Sequence, residues 1–255
     1  MPQIPLDPSE LAVVFLAIGA AAFIKGLTGT GFPLVAVPVM TVFLGVEHAV
    51  IVLQIPNLVS NVWLVWRYRE QMKTTPHPKS MFVPSGIAII LGVWFLSAVD
   101  RTSAMIFLSV MLGFFLILLV IKPDLTLKGV ALKIVTPIAS AIGGFAQGAT
   151  GVSGPAYTPL IFSMRLHKEA FVYYHGILYG FFNAVQISAM VWFGLFTPER
   201  LFQGLIALIP LLLFQYVGMM LTKRASLSTF NKAVIGVLIL METKLITLCS
   251  RAFVW

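Results

Sequence analysis

Lys25, Gly26, Thr28, Gly29, Thr30, Gly31 and Pro33 crowd into the stretch "KGLTGTGFP", inside a run that is otherwise apolar. A second stretch, "QGATGVSGP", repeats the pattern with Gln147, Gly148, Thr150, Gly151, Ser153, Gly154 and Pro155. These residue types in this order suit the binding of an anion. Glycine opens backbone conformations closed to other residues and lets a ligand approach closely. Proline suits the first turn of a new helix, and the N–H groups after it point back into the break with the positive end of the helix dipole. The hydroxyls of Thr28, Thr30, Thr150 and Ser153 add neutral donors, and Lys25 supplies one cation. A different reading stands beside this one. Glycines in apolar helices serve close packing, and a lysine there can reach an interface or pair with a buried carboxylate.

The segments that carry these residues are membrane segments. The chain is 59% hydrophobic and 10% charged, against about a quarter charged in a soluble domain, and its mean hydropathy is +0.97. The net charge of +8 fits basic cytoplasmic loops better than nucleic-acid binding. One cysteine, Cys249, excludes internal disulfides and cysteine-ligated clusters. His48, His77, His167 and His175 show no metal-type spacing, so neither a metal nor a redox cofactor is expected. The N-terminal "MPQIPLDPSE" lacks the basic region and cleavage site of a signal peptide.

Apolar segments span roughly 11–45, 47–66, 80–99, 102–121, 129–164, 169–194, 200–221 and 231–248. The first and fifth exceed the ~20 residues of one crossing, and the glycine clusters interrupt them. At a constant offset of 122, Phe23/Phe145, Gly26/Gly148, Thr28/Thr150, Gly29/Gly151 and Pro33/Pro155 are identical, as are Glu47/Glu169 and Asn61/Asn183. The chain therefore divides into two membrane repeats, 1–125 and 126–255, forming one membrane domain of the transporter type.

If each broken segment is a helical hairpin, each half is that hairpin plus three transmembrane helices. The crossings per half are then odd and the repeat is inverted. The positive-inside rule favours this arrangement. It puts Arg67, Arg69, Lys73, Lys79, Lys122, Lys128, Lys133, Arg165, Lys168, Lys223, Arg224 and Lys232 on one side, against Arg101, Arg200, Lys244 and Arg251 on the other. Both termini are then non-cytoplasmic. Arms 11–25 and 33–45 would reach only about 20 Å at ~1.5 Å per residue. That predicts half-helices meeting near mid-membrane, or tilted short spans. The fold expectation is thus an all-α integral membrane inverted repeat.

Asn61 and Asn183 are repeat-matched polar residues in apolar helices, and interhelical hydrogen bonding accounts for them equally well. Gln54, Asn57, Tyr157, His175, Tyr179 and Gln186 are further candidates to line a cavity.

The two stretches "KGLTGTGFPLVAVP" and "QGATGVSGPAYTPL", on an all-helical basic membrane protein of this length, resemble the sulfite exporter TauE/SafE family, also called toluene-sulfonate uptake permeases. The resemblance implies an inner-membrane transporter of a prokaryote, for sulfite, sulfonates or related sulfur-containing anions. The expected partners are a small anionic substrate, the lipid bilayer, a coupling proton or sodium ion, and a second copy of the chain as a homodimer; nucleic acid is not among them. An enzyme is not expected, since no nucleophile–base spacing or metal cluster is present. The alternatives are a channel-like anion permease and a non-transporting assembly subunit.

Overall fold

The computed structural model describes residues 8–73, 75, 79–121, 129–221 and 227–252. Lys122, Lys128, Lys223, Arg224 and residues 1–7 of the N-terminus lie outside them. The described residues form helices throughout, in the order α1 Pro8–Thr28, α2 Phe32–Leu44, α3 Val46–Arg67, a 3-10 turn Arg69–Lys73, α4 Lys79–Ala98, α5 Arg101–Ile121, α6 Gly129–Thr150, α7 Gly154–Ser163, α8 Lys168–Trp192, α9 Pro198–Ile206, α10 Leu208–Leu221 and α11 Leu227–Ala252. Among the described residues, five helices or joined helices are long and apolar enough to cross a membrane. They are Leu11–Thr28, Val46–Arg67, Lys79–Ala98, Arg101–Leu118 and Pro198–Leu221. The chain is a multi-pass membrane protein.

Each half begins with a glycine-broken pair, α1–α2 or α6–α7. Three further segments follow, the second of the three in the second half being split into α9 and α10. The split follows from Pro210. Its ring removes an N–H and crowds the carbonyl of Ile206, where α9 ends. One expectation needs correction. The first arms are not half-helices: α1 has 21 residues and α6 has 22, or about 30 Å at 1.5 Å per residue. Only α2 with 13 residues and α7 with 10 are short. The hydropathy edge at Leu11 hid the extra turn, because Pro8 and Ser9 are polar or helix-breaking in type yet suit a helix N-terminus. α11 likewise continues through Lys244 and past residue 248.

Helices of one half pack on helices of the other through glycine. A Cβ built on Gly26 in α1 would lie 2.3 Å from the Gln215 carbonyl oxygen and 3.0 Å from Gly218 Cα in α10. A Cβ on Gly148 in α6 would lie 2.2 Å from the Ile89 carbonyl oxygen and 2.9 Å from Gly92 Cα in α4. The two crossings are the same contact made twice, backbone on backbone, and it draws α10 onto α1 and α4 onto α6. Among the described residues Glu47 and Arg200 pair at 2.6 Å, tying the start of α3 to the start of α9. Asp100 caps α5, accepting from Thr102 N at 2.9 Å and Ser103 N at 3.1 Å. The Ser103 hydroxyl holds its carboxyl below the usual range. Glu242 lies in α11 and accepts from Ser109 Oγ of α5 at 2.7 Å.

Neither backbone at the α4–α6 crossing can yield to a methyl group. Gly148→Ala should therefore lower stability by about 1–3 kcal/mol. Gly236→Ala in α11, where a Cβ meets nothing within 4 Å, should leave stability unchanged or raise it by up to ~1 kcal/mol through helix propensity. Thermal melting of the detergent-solubilised variants compares them; equal shifts would refute the packing role.

Candidate functional site

The site is built from the two breaks, and both breaks use the same local chemistry. Gly29 N donates to Lys25 O at 2.7 Å, and Gly151 N donates to Gln147 O at 2.7 Å. Past those bonds the helices stop, because Gly29 takes φ +84° and Gly151 φ +69°. Thr28 Oγ1 lies 3.0 Å from Ile24 O and 2.9 Å from Thr30 O, and accepts from Thr30 N at 3.2 Å. Thr150 Oγ1 lies 2.8 Å from Ala146 O and 3.4 Å from Val152 O, and accepts from Val152 N at 3.2 Å. One hydroxyl thus satisfies the backbone that each break exposes, where lipid offers no substitute. Thr28 and Thr150 shape the breaks and have spent their donors locally. Thr30 enters through its backbone N–H.

After the first break, Gly31 caps α2 with φ +90° and no side-chain hydrogen bond, and Pro33 sits in the first turn. After the second, Gly154 begins α7 with Pro155 as its second residue. The breaks lie side by side. A Cβ on Gly154 would meet Leu34 Cδ1 at 3.3 Å, and one on Gly151 would meet Val37 Cγ2 at 3.6 Å. The opening of α2 therefore rests on the second break.

Lys25 is 1% exposed. Its Nζ donates to Asn61 Oδ1 at 2.6 Å and to Asn57 Oδ1 at 3.0 Å, and lies 5.7 Å from the centre of the Phe32 ring. Both acceptors are on α3, so the cation of the first break is held by neutral amides with no carboxylate. Asn61 Nδ2 donates to Asn183 Oδ1 of α8 at 2.8 Å, and Asn183 Nδ2 donates to Gln54 Oε1 at 2.9 Å. The matched asparagines touch each other, which closes an amide chain across the α3–α8 seam.

The second break is neutral. Gln147, at the position matching Lys25, donates to Gln186 Oε1 at 3.0 Å and accepts from Ser153 Oγ at 2.6 Å. Gln186 donates in turn to Gln147 O at 2.8 Å. Ser153 Oγ also lies 3.3 Å from Tyr179 OH, and Tyr179 stacks on His175 with centroids 4.0 Å apart.

The structure thus brings Lys25, Asn61, Asn183, Gln147, Ser153 and His175 together around the breaks. Gly26 and Gly148 are occupied by helix packing against α10 and α4. Tyr157 is also committed elsewhere. Its hydroxyl donates to Ser140 O at 2.7 Å and lies 2.8 Å from Ser85 Oγ, where it locks α7 to α4 and α6. A separate cavity of about 200 Å³ lies at the other end of α3, lined by Glu47, His48, Asp100, Arg101 and Arg200 among others; Lys25 is not part of its wall. Val172 is a contact the sequence reading missed. A Cβ on Gly29 would sit 2.3 Å from its Cγ2. The signal was present, since Val50 and Val172 also match at the offset of 122, and Val50 faces Gly151 at 3.5 Å. No described group of three or more histidine, cysteine, aspartate or glutamate residues is placed to hold a metal.

Gly29 and Gly31 share a left-handed φ, but only Gly29 faces a wall. A non-glycine residue in that region costs about 1–2 kcal/mol. Gly29→Ala should therefore lower the melting temperature more than Gly31→Ala, and Val172→Ala should recover part of the difference. Equal loss in both single variants would show that the Val172 contact carries no weight.

A family model described as sulfite exporter TauE/SafE matches residues 14–245. No curated protein and no solved structure matches. The match takes in both breaks, Lys25 and the whole α3–α8 amide seam, and the chain belongs to the sulfite exporter TauE/SafE family of membrane transport proteins.

Proposed function

We propose that the protein is a secondary transporter of small sulfur-containing anions, such as sulfite or organosulfonates, and that it binds the anion between the N-termini of α2 and α7. The observation that carries this reading is Lys25. It is a fully buried cation whose partners are the amides of Asn57 and Asn61, beside a helix N-terminus with no side-chain cap. Charges at membrane depth are costly and mark function. Among the described residues no carboxylate pairs with Lys25, so its charge is left for a ligand to meet. Gln147 supplies a neutral donor from the second break through the amide N–H that Gln186 does not take, and Ser153 holds that amide in place. No catalytic role is proposed for any residue.

The halves are read as an inverted repeat within one membrane domain of a prokaryotic inner membrane, with both termini non-cytoplasmic. Two observations support it. Asn61 and Asn183, 122 residues apart, bond to each other, as matched residues do at a two-fold axis. The α1–α10 and α6–α4 crossings repeat the same glycine contact. These contacts support a two-fold relation between the halves, and the basic-residue bias favours odd crossings per half. Lys73→Cys and Thr197→Cys, each in a Cys249→Ser background, should label from opposite faces of intact cells; labelling from the same face would overturn the inverted arrangement.

Lys25→Met should leave the protein folded and raise the anion's apparent Kd. Loss of a charge-assisted hydrogen bond of roughly 1.5–3 kcal/mol weakens binding about 10- to 150-fold. The measurement pairs melting without ligand with stabilisation by sulfite, thiosulfate, sulfoacetate and isethionate against a carboxylate control, since a bound ligand raises stability with its concentration. Unchanged stabilisation in a folded Lys25→Met protein would remove Lys25 from the site. Lys25→Arg should be poorly tolerated, because the amide cradle fits a compact ammonium. Counterflow in proteoliposomes separates this carrier from a channel-like permease.

A further inference from the structure

His175 is buried, with 8% of its surface exposed, and its Nδ1 reaches no hydrogen-bond partner. Neither ring nitrogen bonds to another described residue. Buried polar groups are nearly always paired, and an unpaired one carries a desolvation penalty, so this ring is kept for a partner the protein does not supply. Its place on α8 says where that partner sits. Val172, one turn before it, presses on Gly29 of the first break. Tyr179, one turn after it, stacks on its ring and reaches Ser153 of the second break. Gly176, the next residue, lies 3.4 Å by its added Cβ from Asn61 O, and Asn61 holds Lys25. His175 therefore stands on the α8 face that bridges the two breaks.

We infer that His175 is the site of a coupling proton, taken up from solvent onto its free ring nitrogen when the anion binds beside Lys25. This rests on the anion site proposed above. The empty site already holds one uncompensated ammonium, and a second cation next to it is repelled. A bound anion removes that repulsion and accepts from the new N–H, so anion and proton enter together. Among the described residues, the titratable groups on the elements packed around His175 are few. Beside Lys25 of α1, α7 brings Tyr157, and α8 itself brings Tyr173, Tyr174 and Tyr179, with Lys168 and Glu169 in its first turn. α3 carries Glu47, His48 and Arg67 only in its end turns, α4 carries only Lys79 at its start, and α6 carries only Lys133 near its start. The Arg69–Lys73 turn adds Arg69, Glu70 and Lys73 beyond the last turn of α3.

The test uses methanesulfonate, which stays ionised across the working range and so brings no proton of its own. Sodium methanesulfonate is added at pH 7 to the purified full-length protein in weakly buffered detergent solution, and proton uptake is read with a pH electrode. About one proton per bound anion is expected in the wild type. His175→Gln should bind the anion with no uptake. Uptake that persists in His175→Gln would place the proton on Lys25 or elsewhere and overturn the proposal. Wild-type affinity provides a second measurement that needs no variant. One linked proton makes the Kd weaken about tenfold per pH unit above neutrality, and a Kd that is flat from pH 7 to pH 8 would also overturn it. Absence of any methanesulfonate binding would instead overturn the anion site itself, and this inference with it.

Discussion

A helix that stops inside a membrane must satisfy its own backbone. That constraint is met twice here by one device. The hydroxyls of Thr28 and Thr150 serve the carbonyl and N–H groups that the glycines set free. Because the device is local, each break keeps its shape without help from a distant side chain. The chain can then break at Gly29 and Gly151 and start α2 and α7 with their first N–H groups beside the break. The positions of Lys25, Gln147 and Ser153 all follow from where those helices stop.

The second constraint is the buried charge. Burying an ammonium costs several kcal/mol. Two charge-assisted bonds of about 1.5–3 kcal/mol each come close to offsetting it, and Asn57 and Asn61 provide them. Amide acceptors hold the cation without cancelling it. A carboxylate would neutralise the site and leave nothing for an anion. The amides are themselves held by Asn183 and Gln54, so the α3–α8 seam is both the structural centre and the support of Lys25. In the second half the matching position is Gln147, satisfied by Gln186 and Ser153. The matched positions of the two breaks thus carry a lysine in one and a glutamine in the other.

The glycines divide into two uses that their spacing does not distinguish. Gly26 and Gly148 let helices of opposite halves touch backbone to backbone, while Gly29, Gly31 and Gly151 supply left-handed turns. Function and packing are therefore interleaved at one-turn intervals along the same motif. The crossings built by Gly26 and Gly148 hold the breaks side by side, and the turns built by the others open them.

The sequence by itself determined the membrane class, the two breaks, the repeat at 122 and the one cation within the two glycine motifs. Those properties rest on hydropathy, on glycine and proline conformational limits and on identical residues at fixed spacing, all of which are local. It misplaced the start of α1, since polar residues that cap a helix look like a boundary to a hydropathy reading. It did not show the packing of Gly26 and Gly148 or the hydrogen bonds that Tyr157, Thr28 and Thr150 make within the protein. The tertiary structure decided which glycine meets a neighbouring backbone, which hydroxyl is already spent, and that Lys25 is held by Asn57 and Asn61. It also set Val172 against Gly29 and His175 between the breaks. These depend on which helix faces come together across the two halves, and no spacing within one segment carries that information.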